Sequence, residues 1–256
     1  MSTTIKSDLV VRPLSPNALV SLCQRVVDRS SGSNNGDMKT NGELTLLRHI
    51  APRVKTIFDV GTNIGEWAAS VLEINPGVNL HCFEPDPTTF ANLEKRSFPS
   101  NVRLNQIGLS DKPGETELFT YGELHAMNSI YLRTAGVKAH SRQKIELSTV
   151  DLYCQTNGVD RVDFLKIDVE GHELAVVRGA EQTLRAGRVG LAQFEYGGTY
   201  IDSRTFLKDV WDFITQLDAG YQFYKLFPDG LRHAPSYQPR FEDFQYSNWV
   251  FARQIV

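Results

Sequence analysis

Apolar residues in this chain fall into short runs closed by glycine or an acid, and between those runs they recur every three or four positions. Short runs bounded by turn residues read as buried strands, and the longer periodic stretches read as amphipathic helices. IFDV at 57–60 passes through Gly61 and Gly65 into EWAASVLEIN, and LHCF at 80–83 precedes PTTFANLEKR, which starts with Pro87 in its first turn. The run at 102–107 stops at Gly108, that at 164–167 at Asp168, and LAQF at Glu195. Such alternation predicts an α/β fold with a parallel sheet covered on both faces.

The flanks follow the same logic. A helix over 203–217 buries Phe206, Val210, Phe213, Ile214 and Leu217, and the tail gives two strands, YQFYKLF and SNWVFAR, as an antiparallel hairpin at the sheet edge. That makes seven strands. Residues 1–52 hold a helix over 16–29, with Leu19, Leu22, Cys23, Val26 and Val27 at helical spacing, then a polar loop and a helix over 43–49. This addition either covers the site as a lid or packs on the sheet edge. Residues 53–256 form the main domain, interrupted near 115–147 by a β-rich insertion, ETELFTY, AMNSIYL and KIELSTV. Its middle gathers Arg133, Lys138, His140, Arg142 and Lys144, either to receive an anionic or polyhydroxyl substrate or as a solvated loop.

Composition narrows the function classes. At 256 residues, 41% hydrophobic and net charge −3, the chain is an ordinary globular protein without the basic stripe that nucleic acid requires. No run approaches the ~18 apolar residues of a membrane span. Cys23, Cys82 and Cys154 are scattered and odd in number, as expected of reduced thiols in a cytoplasmic protein.

The turn after the first strand carries candidate chemistry. Glycine there accepts positive φ and lets backbone N–H groups approach a ligand at a helix N-terminus. Glu84, ending the second strand, lies at the roughly 20-residue distance that sets a carboxylate on two ribose hydroxyls. Dinucleotide sites use a middle glycine to meet a pyrophosphate, and here that position is Asn63. A ribose cofactor without a pyrophosphate fits better, and S-adenosylmethionine is the common one. Asp59, Gly61, Thr62, Asn63, Gly65, Glu84, Pro85, Asp86, Gly108, Ser110 and Asp168 are the candidate cofactor residues. An NAD-dependent oxidoreductase and a non-catalytic binding module are the rival classes.

Open α/β sheets bind ligands at the carboxyl ends of their strands. Asp168, Glu170, His172 and Glu195 are therefore the candidate catalytic residues, with His172, near a helix N-terminus, as first choice for the base. The same four offer oxygen and imidazole ligands, so a divalent metal is open without being predicted.

Together DVGTNIG, FEPDP and KIDVEGHE resemble the S-adenosylmethionine-dependent methyltransferases of the FkbM type, from Val54 to about Gly198. The resemblance implies a class I, Rossmann-like sheet of order 3-2-1-4-5-7-6 with the last strand antiparallel. It also implies methyl transfer to a hydroxyl of a small molecule such as a sugar or secondary metabolite. Residue by residue, Asp59, Gly61, Asn63 and Gly65 match the cofactor loop, Glu84 the ribose acid and Asp168 the strand-four acid. Enzymes methylating exocyclic base nitrogens carry an Asn- or Asp-Pro-Pro-aromatic element where this chain reads DVEG, which disfavours nucleobase nitrogen.

Overall fold

A computed structural model describes residues 18–122, 125–133 and 138–253. The predicted start of the first helix at 16, and residues 134–137 of the basic loop, lie outside them. Helices α1 (Ala18–Ser31) and α2 (Glu43–Ile50) lead into β1 (Thr56–Val60), α3 (Glu66–Ile74), β2 (Asn79–Phe83), α4 (Pro87–Glu94) and β3 (Val102–Asn105). Three strands follow, β4 (Gly108–Leu109), β5 (Gly114–Thr120) and β6 (Ser141–Ser148), and then α5 (Val150–Asn157). The βα rhythm resumes with β7 (Val162–Ile167), α6 (Glu173–Arg178), α7 (Glu181–Arg185), β8 (Val189–Tyr196), α8 (Thr199–Ser203) and α9 (Leu207–Gln216). It closes with β9 (Gln222–Phe227), β10 (Gly230–Ala234) and β11 (Ser247–Ala252).

The main sheet runs β3-β2-β1-β7-β8-β11-β9-β10. Its first seven members have the expected order 3-2-1-4-5-7-6, with β11 antiparallel to both β8 and β9. Two details correct the sequence reading. An eighth strand, β10, folds back on β9 through the Pro228–Asp229 turn and takes the edge. The last strand is not at the edge at all: all six residues of β11 are buried, and its apolar stretch 249–252 is covered on both faces.

One face of the sheet packs α5, α6, α7 and α9, and the other packs α2 and α3. Strand alternation puts Phe58, Val60, Leu165 and Ile167 in the first layer and Ile57 and Phe164 in the second. Asp59 and Lys166 share the second face, directly opposite each other in register, and Gln193 lies next along the row. The predicted helix over 203–217 breaks at Arg204, which adopts φ 57°, so α9 starts at Leu207 and leaves Phe206 exposed at its cap. Helix α1 buries none of its residues, so Leu19, Leu22 and Val26 face outward. β4, β5 and β6 make a separate three-stranded sheet. Among the described residues no helix is long and apolar enough to cross a membrane.

Candidate active site

A cleft of about 770 Å³ opens at the carboxyl ends of β1, β2, β7 and β8. Gly61, Thr62, Asn63, Glu84, Pro85, Gly108, Asp168, Glu170, His172 and Glu195 line it, whereas Asp59, Gly65, Asp86 and Ser110 do not.

Backbone contacts set the cofactor side. Gly61 has φ +84°, and a Cβ there would come 1.8 Å from the carbonyl oxygen of Asp168, so only glycine lets β1 and β7 end side by side. Thr62 pins the turn to β2: its Oγ1 donates to the Asp59 carbonyl (2.7 Å) and accepts from the Phe83 N–H (3.1 Å). Asn63 also sits at positive φ (53°), and its N–H donates to Glu84 Oε2 (2.9 Å). The other Glu84 oxygen accepts from the Asp86 N–H (2.9 Å). Burial raises the Glu84 carboxyl to about 7, against the pull of those two donors. Gly65 caps α3 under Leu93 and Phe98, and Asp86 caps α4 through Thr89. Both serve the framework.

Asp59, expected in the cofactor loop, is fully buried beneath it. Burial lifts its carboxyl to about 6, with Lys166 opposing, and among the described residues neither oxygen has a hydrogen-bond partner. Lys166 sits among Asp59, Asp168 and Glu43, donates to Asp168 Oδ2 (2.9 Å), and is only 6% exposed in its side chain. Glu43, from the start of α2, is held by Gln193 (2.9 Å) and Asn41 (2.7 Å). Lys166 and Glu43 line the cleft, and neither was among the expected site residues. Lys166 carried a signal, as the one charge in the apolar run 164–167; Glu43 carried none.

Carboxylates set the other side. Asp168, Glu170 and Glu195 bring oxygens within 4.8 Å of one another, a grouping of hard ligands that His172 does not join. Burial works to raise Asp168, but the Lys166 ammonium outweighs it and holds the carboxyl low. Burial and the charge of Asp168 push Glu195 well up, opposite to its neighbour. Burial, then Asp168, raise Glu170 to about 7, while the Arg133 guanidinium at 2.5 Å pulls it down.

His172 has both ring nitrogens engaged. Nε2 meets Ser110 Oγ (2.9 Å) and Nδ1 meets the Tyr131 hydroxyl (3.0 Å). Ser110 Oγ also reaches the Asp111 carboxylate (3.1 Å), to which it can donate. Burial lowers the imidazole to about 4. With Ser110 and Tyr131 on its two nitrogens, the ring presents neither of them to the cleft unengaged.

Among the described residues of the basic loop, only Arg133 reaches the cleft. Arg142 and Lys144 form exposed pairs with Glu117 and Glu115 on the outer surface of the small sheet, and Lys138 and His140 are likewise exposed.

Residues 59–223 match the FkbM methyltransferase domain. The chain is 24% identical over 231 residues to the 2-O-methyltransferase NoeI of Sinorhizobium fredii, covering 84% of this chain and 93% of that protein. It is 30% identical over 153 residues to the 31-O-demethyl-FK506 methyltransferase FkbM of Streptomyces tacrolimicus (49% and 59%). With the hexuronic acid methyltransferase AglP of Haloferax volcanii it shares 28% over 156 residues (60% and 62%). Among solved structures, a caffeoyl-CoA O-methyltransferase assigned in Staphylococcus aureus overlays with a TM-score of 0.48 at 12% identity, covering 92% of this chain and 97% of that one. With a match that spans more than half its length, this chain belongs to the FkbM methyltransferase family and is an S-adenosylmethionine-dependent methyltransferase.

Proposed function

We propose that the enzyme methylates a hydroxyl oxygen of a small polyhydroxylated acceptor, a sugar or a glycosylated metabolite, and works in the cytoplasm. The observation that carries this reading is the gathering of Asp168, Glu170 and Glu195 in the same cleft as Glu84 and the glycine turn. Carboxylates accept hydrogen bonds from hydroxyls, and an alcohol becomes a competent nucleophile only as its proton leaves. The relatives named as 2-O- and 31-O-demethyl methyltransferases, and the one named for hexuronic acid, support an oxygen acceptor. The three cysteines, all free, suit a reducing compartment.

The residues present fit the cofactor. Glu84, oriented by two N–H groups, keeps lone pairs for ribose hydroxyls, and Leu109, Leu118 and Ile145 offer an apolar wall to a flat ring. Bound there, S-adenosylmethionine supplies a methyl group activated on a sulfonium, beside carboxylates that favour positive charge. Asp168, held ionised by Lys166, orients an amino group or the acceptor hydroxyl. Glu170 takes the hydroxyl proton on a carboxylate oxygen, because an acid near neutrality is matched to that task. His172, the first choice on sequence, yields this role because Ser110 and Tyr131 engage both of its nitrogens.

The test is transfer of labelled methyl from S-adenosylmethionine to a panel of hydroxylated acceptors, sugars first. Glu170→Gln is expected to slow turnover at saturating S-adenosylmethionine about a hundredfold or more. Wild-type turnover in that variant would remove Glu170 as base. Label recovered on nitrogen would sink the hydroxyl reading.

A further inference from the structure

Between β5 and β6 the chain lays a strap across the cleft. Ala126, Met127, Asn128, Ile130 and Arg133 line the cleft, while Ser129, Tyr131 and Arg133 reach one short segment, 170–172. Ser129 Oγ donates to the carbonyl of Glu170 (2.7 Å), Arg133 Nη2 donates to the Glu170 carboxylate (2.5 Å), and the Tyr131 hydroxyl meets His172 Nδ1 (3.0 Å). Three bonds from different residues thus converge on one turn.

That turn is strained. Glu170 has φ 56°, a region where a side chain is disfavoured, and Gly171 follows at φ 102° under the carbonyl of Thr199. The left-handed geometry is what lets one residue offer both its carbonyl and its carboxylate to the strap; glycine there would relieve the strain and lose the carboxylate. The strap itself is braced. Ser129 pairs with Phe119 through both backbone groups, Asn128 accepts from the Tyr121 N–H, and Arg133 Nε donates to the carbonyl of Met127. Tyr131 and His172 also lie ring against ring, 5.7 Å between centroids.

The geometry points to Tyr131 and Arg133 as positioning residues: they latch the strap onto Glu170 and His172, and so both fix Glu170 within the cleft and retain the bound cofactor. His172 is thereby an anchor for the strap. This rests on the cofactor reading above. Cofactor and product leave when the latch opens, so weakening one tie speeds release while leaving entry nearly unchanged.

The test measures association and dissociation rates of S-adenosylhomocysteine for the wild-type chain and for Tyr131→Phe, Arg133→Met and Arg133→Lys. Loss of one buried hydrogen bond predicts release roughly fivefold faster in Tyr131→Phe, and loss of a charged one roughly tenfold or more in Arg133→Met. Arg133→Lys, which keeps the charge, recovers part of that loss. Melting temperatures report whether each variant is folded. Hydrogen exchange of the wild-type 126–133 peptide, slower with ligand than without, supplies a readout that needs no variant. Unchanged release in both folded variants, or equal exchange with and without ligand, overturns the latch. A wild-type chain that binds no S-adenosylhomocysteine instead overturns the cofactor reading, and the latch falls with it.

Discussion

The two halves of the cleft are built by different means. At the ends of β1 and β2 each site group is held by backbone a few residues away or on the adjacent strand: Glu84 by the N–H groups of Asn63 and Asp86, and the turn by Thr62 on Phe83. At the ends of β7 and β8 the carboxylates are held by charged side chains, in a network that draws on residues far along the chain. Glu170 meets Arg133, and Asp168 is tied to Lys166, which answers in turn to Asp59 and to Glu43 from α2. A backbone-held site tolerates surface change and fails when its turn is disturbed. A site held by charge fails when one member of the network is removed.

The strongest challenge to that contrast is Lys166→Met. It leaves Asp59, Asp168 and Glu43 without their shared counter-charge, and breaking such a buried network is expected to cost about 3–5 kcal/mol, read as a lower urea midpoint. A loss under 1 kcal/mol, well below that scale, would mean the charges are solvated or already neutral. Gly61→Ala attacks the other half through its backbone. Its Cβ would meet the Asp168 carbonyl at 1.8 Å, and we expect roughly 3 kcal/mol of destabilisation together with weakened cofactor binding. Normal stability would show that β1 and β7 separate easily there.

Glu84→Ala is expected to weaken S-adenosylhomocysteine by roughly 10- to 100-fold, as befits charged hydrogen bonds to a diol, with the melting temperature little changed. Unaltered affinity in calorimetry would take Glu84 out of the ribose role. The smallest effect is that of pH. Because burial raises Glu84 from an ordinary 4.5 to about 7, the folded chain holds a proton there between those values that the unfolded chain has lost. Its contribution to stability therefore falls as pH rises through that window, while binding that needs the ionised carboxylate improves. Affinity should drop by up to about tenfold per pH unit below 7, and Glu84→Gln should flatten the profile. An equally steep profile in Glu84→Gln would assign the titration to another group.

Legibility in the sequence divides along the same line. Gly61, Asn63 and Glu84 were readable because a tight turn and a strand-end acid are local requirements, satisfied within a few dozen residues. The acids at 168, 170 and 195 were readable as strand ends, but their division of labour was not. Nothing near His172 announces that Tyr131, 41 residues away, engages one of its ring nitrogens, nor that Arg133, alone among the described residues of the basic loop, reaches the cleft. The edge strand β10 was missed because a short stretch with polar outward positions resembles a loop.

The sequence by itself determined the order of strands and helices, the glycine turn and the placing of acids at strand ends, because each depends on short-range sterics and the burial pattern of single elements. Tertiary structure decided which acid is held low and which are pushed up, that both nitrogens of His172 are engaged, and which insertion residues touch the site. Those properties arise from charges and hydrogen bonds between residues far apart in sequence, whose energies depend on distance and burial that exist only after the sheet has closed.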